Sequence, residues 1–168
     1  MTAVPGEWLE LRRNAELWRI LTCHFTHWSY EQLAWDALAF IALAIACHRR
    51  DRRAFRATLL AGIVLIPLAI LVFAPEVTAY RGLSGLASAM FALLLTLERQ
   101  RMRWPVVLCA IGFGAKIAFE TITGGTVFVG GMGENVVSVP VAHLAGAIIG
   151  VIGGLRWTPA LRAPYHGV

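Results

Sequence analysis

Ser84 lies within Arg81-Gly82-Leu83-Ser84-Gly85 at the start of one apolar stretch, and His143 within Ala142-His143-Leu144-Ala145-Gly146 at the start of another. A helix start exposes the hydroxyl of a serine beside backbone N–H groups that have no intrahelical acceptor. The helix dipole there favours developing negative charge. Flanking glycines remove side-chain bulk, so a peptide can approach. A neutral imidazole brought beside that hydroxyl can take its proton as general base and return it to a leaving amine. The plainer alternative is a serine that only caps its helix and a histidine satisfied by backbone or water.

The two residues can meet if their helices pack closely. Ala142, Gly146, Gly150 and Gly154 recur every four residues and form a small-residue seam, of the kind that lets membrane helices approach. Gly85, Ser88 and Ala89 offer a matching small face next to Ser84. Two further pairs are spaced four apart, hence on one helix face: Gln32 with Asp36, and Lys116 with Glu120. A Gln amide can donate to an oxyanion. An ionised Asp is acceptor-only, so Asp36 must be protonated, orient another donor, or bind Arg or Lys. Lys116 and Glu120 read as a structural or substrate-shaping ion pair. Cys23, His24 and His27 are not joined by further His or Cys at ligand spacing, and no metal or other cofactor is expected.

These residues are carried by a chain that is 58% hydrophobic, with mean hydropathy +0.65. An ordinary soluble domain is about 45–50% apolar. The expectation is an all-α polytopic membrane bundle forming a single domain over 1–168. It comprises an interfacial region at 1–29, five spans within 30–157 and a cytoplasmic tail at 158–168. The spans fall roughly at 31–47, 57–75, 83–97, 104–122 and 136–155. Some are shorter than the ~20 residues a crossing needs, a deficit that flanking Trp, Tyr and Arg can meet. Pro67 is expected to kink the second. The aromatic and histidine run Trp18, His24, Phe25, His27, Trp28, Tyr30 reads as an interfacial belt. The glycine-rich stretch from Gly124 to Gly133 reads as a mobile outer loop. Cys23, Cys47 and Cys109 read as packing residues.

The net charge of +5 does not argue for nucleic acid, because its distribution follows the spans. Arg49, Arg50, Arg52, Arg53 and Arg56 separate the first two spans. Arg99, Arg101 and Arg103 separate the third and fourth, and Arg156 and Arg162 follow the fifth. The positive-inside rule puts all of these in the cytoplasm. Ser84, His143, Gln32 and Asp36 then fall in the outer half of the membrane. Lys116 and Glu120 lie about 18 and 24 Å along an outward-running span at 1.5 Å per residue. Ionisable groups within spans usually face a water-filled space, so one outward-facing polar cavity is expected.

Trp18-Arg19-Ile20-Leu21-Thr22, His27-Trp28-Ser29, Gly82-Leu83-Ser84-Gly85 and Ala142-His143-Leu144-Ala145-Gly146 follow one another in the order of the rhomboid family of intramembrane serine proteases, which the chain resembles. The Lys116–Glu120 pair and the compact size look most like its rhombosortase branch, which is associated with processing carboxy-terminal anchoring signals of exported bacterial proteins. The resemblance implies a Ser84–His143 dyad. It implies an oxyanion hole from the Ser84 N–H and side chains of the first span, with Gln32, Asp36, His27 and Gly82 as the near-site residues. The family usually carries His and Asn where Gln32 and Asp36 stand, and His27 matches a further family histidine. It also has a span before the Trp-Arg-x-Leu-Thr region that residues 1–17 cannot supply. The implied partners are the lipid bilayer and a single-span protein substrate, in a bacterial inner membrane with the site facing outward. The rival readings are a catalytically inactive rhomboid-like protein that binds transmembrane partners, and a small transporter, which would want ionisable groups through the whole membrane depth.

Overall fold

The computed structural model describes residues 6, 8–13, 16–124 and 139–157. A short strand β1 (Leu11–Arg12) is followed by a single turn α1 (Arg19–Thr22) and a 3-10 turn (Cys23–Phe25). The long helices are α2 (Tyr30–Arg50) and α3 (Arg52–Phe73), then, after strand β2 (Ala79–Tyr80), α4 (Ser84–Glu98), α5 (Arg103–Thr123) and α6 (Pro140–Trp157). The chain is a polytopic helical bundle and an integral membrane protein. Helices α2, α3, α5 and α6 are long and apolar enough to cross a membrane. At 15 residues, α4 is shorter. Large apolar side chains such as Leu38, Leu60, Leu108, Ile111 and Ile148 face outward.

Helix α4 occupies the centre, against α2, α3 and α6. Its contact with α6 is backbone on backbone. A Cβ at Gly146 would run into the Gly85 carbonyl oxygen, one at Gly150 into the Ala89 carbonyl oxygen, and one at Gly154 into Thr96. Gly153 faces the other way, against the Thr58 hydroxyl on α3. The two small-residue faces expected from sequence therefore do meet. By contrast α5 hangs on the rim, and Glu120 is its only buried residue among those described.

Helix ends explain the connections. Asp51 alone separates α2 from α3, its carboxylate accepting from the N–H groups of Arg53 and Ala54. The basic run thus sits on helix ends rather than in a loop, because one Asp serves as N-cap. Arg50 pairs with Glu98 at 2.6 Å, tying the inner ends of α2 and α4. Gly124 ends α5 in the left-handed conformation, φ 66°. Pro67 is fully buried inside α3, which continues through it. Cys23 and Cys47 are packing residues, whereas Cys109 is exposed on α5, whose outer face has no helix to pack on. The expected outer loop beyond Gly124 and the tail at 158–168 lie outside the described residues.

The amino-terminal region is a lid of polar contacts over the outer end. Strands β1 and β2 pair antiparallel, Leu11 opposite Tyr80. Arg13 donates to the carbonyls of Leu71, Ala74 and Pro75 at 2.8, 2.9 and 3.2 Å, capping the end of α3. Trp18, Phe25 and Tyr30 are exposed, as a membrane-interface belt requires, but His24 and His27 are each 1% exposed and point inward. They leave the expected belt because each is committed to groups of the bundle described below.

The seam makes a direct prediction. Gly146→Ala places its methyl against fixed backbone and is expected to cost about 1–3 kcal/mol, read as lower thermal stability in detergent micelles. Gly112→Ala, with nothing within 4 Å of its Cβ, is expected to leave stability unchanged or slightly raised.

Candidate active site

Ser84 is the first residue of α4. The N-cap position is Leu83, and no side chain caps the helix. The first helical bond runs from Ala87 N–H to the Leu83 carbonyl at 2.8 Å, so the amides of Ser84, Gly85 and Leu86 have no acceptor within the helix. Ser84 is therefore not the capping residue of the plainer reading.

The loop before it is held from three sides. Gly82 has φ 128°, a conformation that favours glycine. Its N–H donates to the Cys23 carbonyl at 3.0 Å, and its carbonyl accepts from the Tyr80 hydroxyl at 3.2 Å. Both backbone groups of Gly82 are thus used, and it serves as hinge rather than as donor. Arg81, 6% exposed, stacks its guanidinium 4.2 Å over the Trp28 ring and reaches Glu10 Oε2 at 2.5 Å. The other Glu10 oxygen pairs with Arg12.

Gln32, Asp36 and His27 converge on Gly82. A Cβ there would lie 3.1 Å from Gln32 Nε2, 3.2 Å from Asp36 Oδ2 and 3.9 Å from the His27 ring. Ser29 caps α2 by accepting from Gln32 N–H at 3.1 Å, and Gln32 Oε1 accepts from Trp28 N–H at 2.9 Å. This reciprocal cap commits the Gln32 carbonyl and turns its NH2 toward the Gly82 side. Asp36 does not meet Arg or Lys. Its Oδ2 lies 3.5 Å from His27 Nε2. Both ring nitrogens of His27 and Oδ2 of Asp36 are buried with no protein hydrogen-bond partner among the described residues. Of the three roles open to Asp36, orienting another donor fits this placement.

His143 is in the first turn of α6, 7% exposed, and follows Ala142, whose carbonyl lies against Gly85. Ser84 and His143 therefore flank the crossing of α4 and α6 at one end of the bundle. No hydrogen bond joins them among the described residues. The Ser84 hydroxyl and the Gly85 amide act instead on the Tyr80 phenol, though burial outweighs them and pushes its pKa up. Catalytic hydrogen bonds are often long before substrate binds. On its other side, His143 Nδ1 is 2.9 Å from Glu120 Oε2, and Glu120 Oε1 accepts from Lys116 Nζ at 2.7 Å. Lys116 and Glu120 pair as expected; that the pair also reaches His143 was not foreseen.

A family model described as Rhomboid domain matches residues 14–158. The chain belongs to the rhomboid family. No curated protein and no solved structure matches it. Rhomboids are in general intramembrane serine proteases, so the family and the site's chemistry point the same way.

In this rhomboid the roles of Glu10 and Trp28 escape sequence reasoning, since each acts through Arg81, far away in the chain, and that of Tyr80 does because it depends on how the loop to Gly85 folds back. The Ser29-x-x-Gln32 spacing was a legible signal for the reciprocal cap. His24 and His27 do not form a pair: His24 Nε2 lies 3.0 Å from the Ile63 carbonyl on α3, while His27 faces Asp36. Burial pushes the Cys23 thiol up to about 12, leaving it a packing group.

Burial also lowers the His24 pKa below its ordinary 6.5, outweighing the Ile63 and Gly82 backbone contacts. The unfolded chain therefore takes up a proton that the folded chain refuses. The stability His24 confers is full above about pH 6.5 and falls as the pH drops below it. Denaturation in detergent between about pH 7 and 5.5 should show this slope, and His24→Phe should flatten it.

Proposed function

We propose that this rhomboid is an active serine endopeptidase that cleaves single-span membrane proteins near the outer face of the membrane. The observation that carries the reading is the backbone crossing of α4 and α6, with Ser84 and His143 on either side of it at one depth. Ser84 Oγ attacks the scissile carbonyl carbon while His143 takes the hydroxyl proton. The carbonyl oxygen becomes an oxyanion, met by the Ser84 N–H at the start of α4 and the Gln32 NH2, with His27, 3.5 Å from Asp36, as a further donor. The C–N bond then breaks, and His143 gives its proton to the leaving amine. Water, deprotonated by His143, attacks the acyl ester, the C–O bond breaks and Ser84 regains its proton.

A peptide inside an intact helix has its carbonyls bonded. The substrate must therefore unwind at the cleavage point, which favours segments with small or helix-breaking residues. The basic ends of the helices support a site on the outer side of the membrane, which would be the inner membrane of a bacterium. The Lys116–Glu120 pair supports the finer reading, processing of carboxy-terminal anchoring signals of exported proteins. The inactive reading, a rhomboid-like protein that binds transmembrane partners, is the alternative that the test decides.

Purified protein in micelles, treated with a fluorophosphonate probe, is expected to label, and Ser84→Ala to abolish labelling while Ser88→Ala keeps it. Absence of labelling on folded wild-type protein would favour the inactive binder. Gln32→Ala is expected to lower kcat by about 10–10³-fold with a smaller change in KM, as loss of one oxyanion donor does, measured by cleavage of a fluorogenic transmembrane segment.

A further inference from the structure

Lys116, Glu120 and His143 form a continuous polar chain in an otherwise apolar setting. Glu120 is 3% exposed and divides its two oxygens, Oε1 to Lys116 Nζ at 2.7 Å and Oε2 to His143 Nδ1 at 2.9 Å. Lys116 Nζ is itself 3.4 Å from His143 Nδ1. An ionised carboxylate can only accept, and an ammonium can only donate. Of the two neutral tautomers, the one that fits has Nδ1–H donating to Glu120 with Nε2 left as the bare ring nitrogen. That is the tautomer a general base needs, because the proton of Ser84 must be received on Nε2.

We propose that Glu120 is a positioning residue for His143, turning the expected two-residue site into a Ser84–His143–Glu120 relay whose carboxylate is oriented by Lys116. The inference rests on the protease reading above. The competing explanation is anchorage alone: Glu120 is the one buried residue described on α5, and its ion pair could merely hold that helix to the bundle. The charges separate the two ideas. Among the described residues, Lys116 and Glu120 reach His143 from α5; Tyr80 and the Ala142 carbonyl lie against Gly85, and His27 and Asp36 lie against Gly82. The charged residues of α3 (Arg52, Arg53 and Arg56) and Arg156 of α6 lie at the opposite end of the bundle.

Glu120→Gln keeps the size and loses the charge. Lys116 still requires an acceptor and takes the new amide carbonyl, leaving the amide NH2 against Nδ1. His143 must then accept at Nδ1 and carry its proton on Nε2, the wrong side. In the double variant Lys116→Met/Glu120→Gln the amide is free to rotate and accept from Nδ1–H again. Anchorage predicts the reverse order, since the double variant removes more of the tether.

The test uses the full chain in micelles with a fluorogenic transmembrane-segment substrate. E120Q is expected to lose on the order of 10²-fold or more in kcat with KM little changed, and K116M/E120Q to regain at least about tenfold over E120Q. The tautomer is read independently of turnover by ¹⁵N NMR of imidazole-labelled Ser84→Ala protein, with His143 assigned through His143→Gln. Nδ1–H is expected with Glu120 and Nε2–H with Gln. Should E120Q not fold, the tautomer of the Ser84→Ala protein with Glu120 in place decides: Nδ1–H is expected, and Nε2–H overturns the relay. An E120Q enzyme as fast as wild type, a double variant no better than the single, or an unchanged tautomer each likewise overturns it. Failure of wild type to label or cleave overturns the protease reading instead, and the tautomer measurement still judges Glu120.

Discussion

The close approach of α4 and α6 is the constraint on which the other features depend. Lipid tails are as apolar as leucine, so burying apolar surface does little to hold membrane helices together; dispersion contacts and polar pairing must do it. At Gly146 and Gly150 the two backbones touch, with the Gly85 and Ala89 carbonyls filling the space a methyl would take. Contact this close fixes both the distance between the helices and their register. A slip by one residue would put Ile149 or Val151 into the crossing where Gly150 now lies. The register that fits the glycines is also the one that sets Ser84 beside the first turn of α6.

Around that crossing, every polar group has to be accounted for, because burial in a low-dielectric interior without a partner is costly. The loop before α4 meets the demand through Cys23, Tyr80, Glu10 and Trp28, all drawn from the amino-terminal lid or β2. On α5 the Lys116–Glu120 pair meets it by binding His143. His27 and Asp36 are left incompletely partnered at the Gly82 side. Unsatisfied buried polar groups are rare in native structures. Three such atoms, both ring nitrogens of His27 and Asp36 Oδ2, lie close to the loop that leads into α4.

Much of this was legible before the fold was known. The four-residue glycine repeat announced the seam, and the glycines around Ser84 marked the loop. What stayed hidden were contacts that need three dimensions. Glu120 was read with Lys116, four residues away, and its second oxygen had no visible destination. His24 and His27 looked interfacial because their neighbours Phe25 and Trp28 are aromatic, yet a 3-10 turn at Cys23–Phe25 turns them inward. Glu10 and Arg81 are 71 residues apart, and no local pattern joins them. The short third span expected at 83–97 is α4, Ser84–Glu98, but a run of apolar residues says nothing about whether lipid or other helices surround it.

That last point bears on how the site meets water. At about 1.5 Å per residue, the 15 residues of α4 cover about 22 Å of a hydrocarbon core of about 30 Å. A helix so short can sit in the bundle because α2, α3 and α6 surround it, and the remaining depth is filled by the irregular segment from β2 to Leu83. Non-helical backbone is tolerated at membrane depth only where protein or a water-filled cavity satisfies it. Here the protein supplies those bonds: the Gly82 N–H donates to the Cys23 carbonyl and the Gly82 carbonyl accepts from the Tyr80 hydroxyl. The same rule acts on any transmembrane segment that unwinds beside the bundle, because each carbonyl that gives up its helical bond at membrane depth needs another donor, and in lipid only protein or trapped water can offer one.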